Sequence, residues 1–130
     1  MVVLDTCAII NLLQKDIISR KTLLLINQGA FLLSISFAEI ACKVNIGKLD
    51  LGGKNVMELY EEYSDIQSIE MIDIDGRHWM QAINLDWPLT KTKQHKDSAD
   101  RLILSFALDH KLPIVSSDQM MKKRYANVIY

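Results

Sequence analysis

The sequence predicts an α/β fold in which helices flank a mainly parallel central sheet. Short apolar runs alternate with segments of helical period along the whole chain, as expected for strands joined by helical crossovers. The 130 residues contain no internal repeat, low-complexity tract or linker-like segment. We therefore expect residues 1–130 to form a single domain, large enough to bury a core of its own.

The first elements follow from two apolar runs and the helices around them. Residues 2–4 form a short run with two valines, which is typical of a buried parallel strand, and 30–34 form the second strand. Thr6 can cap a helix that follows the first strand. A second helix is expected over 18–28, where Gly29 ends it.

The middle of the chain predicts three helices and an edge strand. Ser36 and Glu39 have the capping-box spacing at the start of a helix. An amphipathic helix follows at 55–63. Residues 69–74 alternate apolar and acidic side chains, which indicates a half-exposed strand at the edge of the sheet. A further helix is expected over about 76–85.

The last third predicts a basic loop and then four regular elements. Residues 86–96 have no apolar period and are expected to form a loop. A helix over 97–110 and a strand over 112–117 follow. A short helix at 119–124 and a final strand at 127–130 complete the predicted elements.

The composition matches that of an ordinary globular protein, with 49% hydrophobic and 24% charged residues. The net charge of −1 gives no overall attraction for nucleic acid, so a basic surface would have to be local. Cys7 and Cys42 have neither zinc-site spacing nor a disulfide framework, and we expect buried free thiols in a reducing compartment. No signal peptide or membrane-spanning run is recognisable, so the expected location is the cytoplasm, with no membrane partner.

Four acidic residues lie at or just beyond the end of an apolar run or in the first turn of a helix: Asp5, Glu39, Asp100 and Asp118. In an open parallel sheet, ligands bind in the crevice beyond the carboxyl ends of the strands. Carboxylates brought there from distant parts of the chain repel each other, and a hard divalent cation relieves the repulsion. This pattern predicts a metal-dependent enzyme that acts on phosphate esters.

Each acid also has a purely structural interpretation, which is the stronger one when the acid is taken singly. Asp5 and Asp118 can cap helices, and Glu39 can complete a capping box. Asp100 can complement a helix dipole one turn after a cap at Asp97. Only the shared position of these acids at one edge of the sheet favours a catalytic site.

Basic residues concentrate just before the helix that carries Asp100. A run of like charges is most often a solvated surface. Next to an acidic metal site, the same groups could instead hold a polyanion such as RNA. The candidates for this contact are Lys91, Lys93, Lys96 and Arg101.

Four motifs together resemble the PIN-domain ribonucleases, and most of all the VapC-like toxins of prokaryotic toxin–antitoxin pairs. In chain order they are Leu4-Asp5-Thr6, Ser36-Phe37-Ala38-Glu39, His95-Lys96-Asp97-Ser98-Ala99-Asp100-Arg101-Leu102-Ile103 and Val115-Ser116-Ser117-Asp118. The resemblance covers essentially the whole chain, and the segment around Asp100 is its most specific part.

The resemblance implies a three-layer PIN-like fold and hydrolysis of RNA that depends on Mg²⁺ or Mn²⁺. It implies four acids that are both catalytic residues and metal ligands, namely Asp5, Glu39, Asp100 and Asp118. Asp97 is implied as an accessory acid, and Thr6 and Ser116 match hydroxyl positions that flank the site. The implied partners are an RNA substrate such as tRNA, a small antitoxin protein and a second copy of the chain.

Two positions depart from the pattern of this family. Ser98 stands where proline is common, and Ser116 stands where threonine is common. Serine is tolerated at the start of a helix, and serine in place of threonine keeps the hydroxyl. Neither departure removes an acid, so neither predicts an inactive enzyme.

Three functions remain open at this point. The chain can be the toxin of a toxin–antitoxin pair, or a PIN nuclease with a housekeeping role in RNA processing. The third alternative is a non-catalytic PIN-like module that binds RNA or protein. It draws on the ordinary net charge and on the structural interpretation that each acid allows.

Overall fold

A computed structural model describes residues 1–15, 18–85 and 98–130 of the chain. Five strands and seven helices alternate within these residues, which confirms the α/β class. In chain order the elements are β1 (Val2–Leu4), α1 (Thr6–Leu13), α2 (Arg20–Gln28), β2 (Ala30–Leu33), α3 (Ile35–Asn45), α4 (Val56–Ser64), β3 (Ile69–Ile72), α5 (Gly76–Ile83), α6 (Ser98–His110), β4 (Ile114–Val115), α7 (Gln119–Arg124) and β5 (Val128–Ile129).

The strands form one parallel sheet in the order β3-β2-β1-β4-β5. The first strand is central, because the chain moves from it to β2 on one side and returns to β4 on the other. Leu4 pairs with Leu32 of β2 and with Val115 of β4. The carboxyl ends of these three strands therefore lie side by side, and the reversal of strand order at β1 makes the crevice in which ligands of such sheets bind.

The middle strands of the sheet, β2, β1 and β4, are covered on both faces, which is why they are continuous apolar runs. Val2 and Leu4 of the central strand point to one face and Val3 to the other, and all three are at most 2% exposed. Helices α1 to α4 contribute to the core on the face of Leu4, and α5 to α7 to the core on the face of Val3. The result is three layers, with the sheet between two groups of helices.

The helix starts at the carboxyl edge differ from two of the expected caps. Asp5, and not Thr6, is the N-cap of α1, since its side chain accepts a hydrogen bond from the Thr6 amide. The predicted capping box of Ser36 and Glu39 is wrong. Helix α3 begins at Ile35, so that both residues lie inside it and contact Thr6 of α1.

Most other expectations about the elements hold, with shorter strands than predicted. The third strand lies at the edge of the sheet, as its alternating pattern indicated, but ends at Ile72. Both cysteines are free, although Cys42 is exposed and Cys7 only half-buried, so the expectation of two buried thiols is wrong. Within the described part of the chain, no helix has the length and apolar character needed to cross a bilayer.

Candidate metal centre

Three aspartates from distant parts of the chain converge at the carboxyl edge of the sheet. Asp5 directly follows β1, Asp118 comes three residues after β4, and Asp100 lies in the first turn of α6. One carboxylate oxygen from each lies within 4.8 Å of the other two. Among the described residues these three form a group compact enough to hold one metal ion.

The Asp5 carboxylate is buried and held by three hydrogen bonds. Its Oδ1 accepts from the Thr6 amide at 2.7 Å, and its Oδ2 accepts from Ser116 Oγ at 2.6 Å and from Cys7 Sγ at 3.3 Å. Burial raises the pKa of Asp5 above its ordinary value, and the charge of Asp118 adds to the rise, while the three hydrogen bonds act against it. A cation at this point would favour the charged carboxylate by opposing both effects.

Asp118 is both the N-cap of a helix and one of the three converging aspartates. Its Oδ1 accepts from the Met120 amide at 2.8 Å, so it caps α7 as a helix N-cap does. Its own amide donates to Ser116 Oγ at 3.0 Å. Ser116 is fully buried and thus links the side chain of Asp5 to the backbone of Asp118.

Glu39 lies on the same cavity but outside the compact group of three aspartates. Its Oε1 lies 2.6 Å from the hydroxyl oxygen of Thr6, and that oxygen lies 2.9 Å from Ser36 Oγ. Thr6 and Ser36 are both buried. The fourth acid is therefore held by the buried Thr6 hydroxyl of α1, which also contacts the Ser36 hydroxyl of α3.

The acids line a cavity of about 320 Å³ that opens at the carboxyl edge. Among the described residues, four acidic side chains and one cationic side chain, Lys43, line this cavity. The charge of this lining is therefore negative, although the whole chain is almost neutral. Sequence reasoning missed Lys43 and Asn11 as lining residues. A signal was present, because Lys43 is four residues after Glu39 on α3 and therefore on the same helix face.

The predicted RNA-contact residues divide into one that is described and three that are not. Arg101 donates from one guanidinium nitrogen to the carbonyl oxygens of Ala82 and Leu85, both at 3.2 Å. It thus ties the end of α5 to the first turn of α6, beside Asp100. Lys91, Lys93 and Lys96, together with Asp97, lie outside the described residues.

The comparison with protein families matches residues 2–127 to the family described as PIN domain. The chain belongs to the PIN-domain family. No curated protein matches its sequence significantly.

A solved structure shares the fold of this PIN domain. It is described as a toxin-antitoxin complex from Klebsiella pneumoniae, and it superposes with a TM-score of 0.63 over 100% of this chain and 97% of the other. The two sequences are 14% identical. At that identity, the likeness demonstrates a common fold.

The donor set of this PIN domain suits a hard divalent cation. Three carboxylates offer oxygen ligands at one point, and the described residues place no histidine among the residues that line the cavity. Mg²⁺ and Mn²⁺ prefer carboxylate and water ligands, whereas zinc sites use mainly histidine and cysteine. The Cys7 thiol lines the cavity, but burial and the nearby charge of Asp5 raise its pKa, which disfavours the thiolate that a metal would bind.

Proposed function

We propose that this PIN domain is an endoribonuclease that depends on Mg²⁺ or Mn²⁺ and acts as the toxin of a toxin–antitoxin pair. The observation that carries the proposal is the convergence of Asp5, Asp100 and Asp118 within 4.8 Å at the crevice of the sheet. Three separate elements supply these acids, and helix capping alone does not require their carboxylate oxygens to lie within 4.8 Å of one another.

The chain's own residues prepare the site before any substrate arrives. Hydrogen bonds from Ser116 and Thr6 fix the Asp5 carboxylate, and the caps of α1 and α7 fix the backbone around Asp5 and Asp118. Preorganised ligands of this kind lose little freedom on binding. A bound divalent cation would supply an acidified water and would stabilise negative charge on the phosphate oxygens.

The proposed partners are RNA, an antitoxin and a second copy of the chain. A cavity with four carboxylates repels a bare phosphate, so RNA binding would require the cation and the cationic groups near the rim, such as Lys43. The structure from Klebsiella pneumoniae with the same fold is described as a toxin-antitoxin complex, which supports the antitoxin partner. A cytoplasmic location and a single domain over residues 1–130 complete the proposal.

The decisive experiment replaces Asp100 by asparagine. Asp100→Asn keeps the side-chain size in the first turn of α6 and removes one of the three negative charges of the converging aspartates. We expect cleavage of a tRNA pool in Mg²⁺ or Mn²⁺ to fall by about a hundredfold or more, as for the loss of a metal ligand. EDTA should abolish cleavage by the unmodified protein.

Asp109→Asn is the matched control, because Asp109 lies at the exposed end of the same helix. It should cleave at the normal rate. Full cleavage by Asp100→Asn, with an unchanged metal requirement, would contradict the proposal. Absence of both Mn²⁺ binding and RNA cleavage in the unmodified protein would favour the non-catalytic module instead.

The toxin and housekeeping roles are separated in cells. Induced expression of the chain should arrest growth, and co-expression of a small neighbouring gene should relieve the arrest. Growth that is unaffected by expression, combined with cleavage in vitro, would favour the housekeeping nuclease.

A further inference from the structure

A chain of buried hydroxyls connects the two sides of the cavity through Thr6. The Thr6 amide donates to Asp5, and its hydroxyl lies 2.6 Å from Glu39 Oε1 and 2.9 Å from Ser36 Oγ. Thr6 is 3% exposed, and Ser36 is fully buried. The Thr6 and Ser36 hydroxyls are therefore shielded from water, whereas Glu39 is half-exposed at the cavity wall. Helices α1 and α3 carry the three residues.

The chemistry of the hydroxyl group sets the direction of these bonds. A threonine hydroxyl carries one proton, and an ionised carboxylate can only accept. The proton of Thr6 therefore goes to Glu39, and the short separation of 2.6 Å is typical of a hydroxyl donating to a charged oxygen. The Ser36 hydroxyl then donates to Thr6, which completes the chain from Ser36 through Thr6 to Glu39.

The same geometry distinguishes Glu39 from the aspartates. The ligand atoms of Asp5, Asp100 and Asp118 meet within 4.8 Å, and Glu39 does not join that group although it lines the same cavity. One oxygen of Glu39 is engaged by Thr6. The carboxylate is thus aligned by a neutral hydroxyl at the cavity wall, away from the point where the aspartates converge.

We propose that Thr6 is a positioning residue that orients Glu39, and that Ser36 supports Thr6. In this arrangement the three aspartates alone hold the ion, and Glu39 acts on the reacting groups. The inference rests on the proposed nuclease function. It divides the four acids into two tasks and assigns Ser36 a role in the site.

Two substitutions at Thr6 test this division. Thr6→Val keeps the shape and removes the hydroxyl, whereas Thr6→Ser keeps the hydroxyl. We expect Thr6→Val and Glu39→Gln to slow tRNA cleavage by roughly thirtyfold each, and Thr6→Ser to cleave at nearly the normal rate. The double variant should be no slower than Glu39→Gln, because residues that act as a unit are not additive.

Mn²⁺ affinity distinguishes a role in positioning Glu39 from a general role in holding the structure of the site. Calorimetric titration with Mn²⁺ should give affinities within about twofold of normal for Thr6→Val and Glu39→Gln, since the aspartates are intact. Thr22→Val is the matched control, because Thr22 is also 3% exposed and its hydroxyl and amide bond to Ser19 at the start of α2. It should change neither cleavage nor affinity.

Three results would overturn the inference. They are additive losses in the double variant, a Mn²⁺ affinity that falls in Thr6→Val as it does in Asp100→Asn, and an unmoved NMR resonance of the Glu39 carboxyl carbon in Thr6→Val. The resonance should move in Thr6→Val and stay in Thr6→Ser and Thr22→Val. This NMR resonance does not depend on activity. A protein that binds Mn²⁺ without cleaving RNA would refute the proposed function, and the resonance would still show whether Thr6 orients Glu39.

Discussion

The two ends of the parallel sheet each carry a cavity, and the cluster of acidic residues lines the smaller one. The cavity at the amino end has a volume of about 570 Å³, against about 320 Å³ at the carboxyl end. Glu70 is the one acidic residue that lines the amino-end cavity within the described residues, whereas four acids line the other. The candidate site is therefore identified by the charge of its lining residues and not by the volume of its cavity.

The direction of the chain explains this difference. At the carboxyl edge a strand is followed by a helix start, and Asp5 and Asp118 are there as N-caps of α1 and α7. At the amino edge a helix end is followed by a strand, as at Gly29, whose φ of 142° ends α2. Helix starts recruit acids and hydroxyls, so a parallel sheet collects carboxylates at one edge before any function requires them.

The strongest test of this contrast exchanges one carboxylate for an amide at each end. Asp118→Asn keeps the N-cap of α7, since asparagine caps as well as aspartate does. It removes one negative charge from the three converging aspartates. We expect its Mn²⁺ affinity to fall by about a hundredfold. Calorimetric titration measures the change.

Glu70→Gln makes the same chemical change at the amino end. Glu70 is exposed on the edge strand, and its substitution should leave Mn²⁺ affinity unaltered. If both variants weaken binding alike, the ion does not sit among the aspartates and the assignment of the site is wrong.

A smaller effect is expected from the hydroxyl that links two of the aspartates. Ser116→Ala removes the donor to Asp5 and the acceptor for the Asp118 amide, both in a fully buried place. We expect about a tenfold loss of Mn²⁺ affinity, as is usual for residues that orient metal ligands. Ser116→Thr keeps the hydroxyl and should restore most of the affinity.

Ser105→Ala is the control for this prediction, since Ser105 is a buried serine on α6 that does not line the metal cavity. It should bind Mn²⁺ normally. A normal affinity in Ser116→Ala would show that the backbone alone positions Asp5 and Asp118.

The fold was largely predictable because its signals are local. Buried parallel strands are recognisable as apolar runs, and the helix at Gln119–Arg124 was predicted with its observed bounds. Strand ends were less predictable: the run at 112–117 pairs only at Ile114–Val115, where the short neighbour β5 is available. Strand length depends on partners, which no local pattern specifies.

The site was predictable in its acids and not in their supports. Asp5, Asp100 and Asp118 were recognisable from their place after strands and at a helix start, whereas Ser36 had been interpreted as a cap. It lies inside α3 and contacts Thr6 from another helix. A shift of two residues at this helix start, from an N-cap at Ser36 to one at Ser34, changes which side chains face a neighbour, and tertiary packing decides that shift.

The smallest expected effect is on the free energy of unfolding. It compares the buried Asp5 at the carboxyl end of the sheet with the exposed Glu70 at the amino end. In metal-free protein, burial and the charge of Asp118 raise the pKa of Asp5 above its value in the unfolded chain. The folded state then binds the proton more tightly, so stability is highest at low pH and falls as pH rises through the raised pKa. Asp5→Asn removes this loss, and its free energy of unfolding at about pH 8 in EDTA should exceed that of the unmodified protein by about 1 kcal/mol.

Urea unfolding at several pH values measures the gap, which should close as the pH falls below 3.8, where Asp5 becomes protonated in the unfolded state as well. Glu70→Gln serves as the amino-end control and should show no such gap, because its side chain is exposed. Saturating Mn²⁺ should reverse the order, since a ligand at a hundred times its Kd stabilises the folded state by about 2.7 kcal/mol. An Asp5→Asn variant that is less stable than the unmodified protein without metal would mean that its hydrogen bonds to Ser116 and Cys7 outweigh the cost of the buried charge.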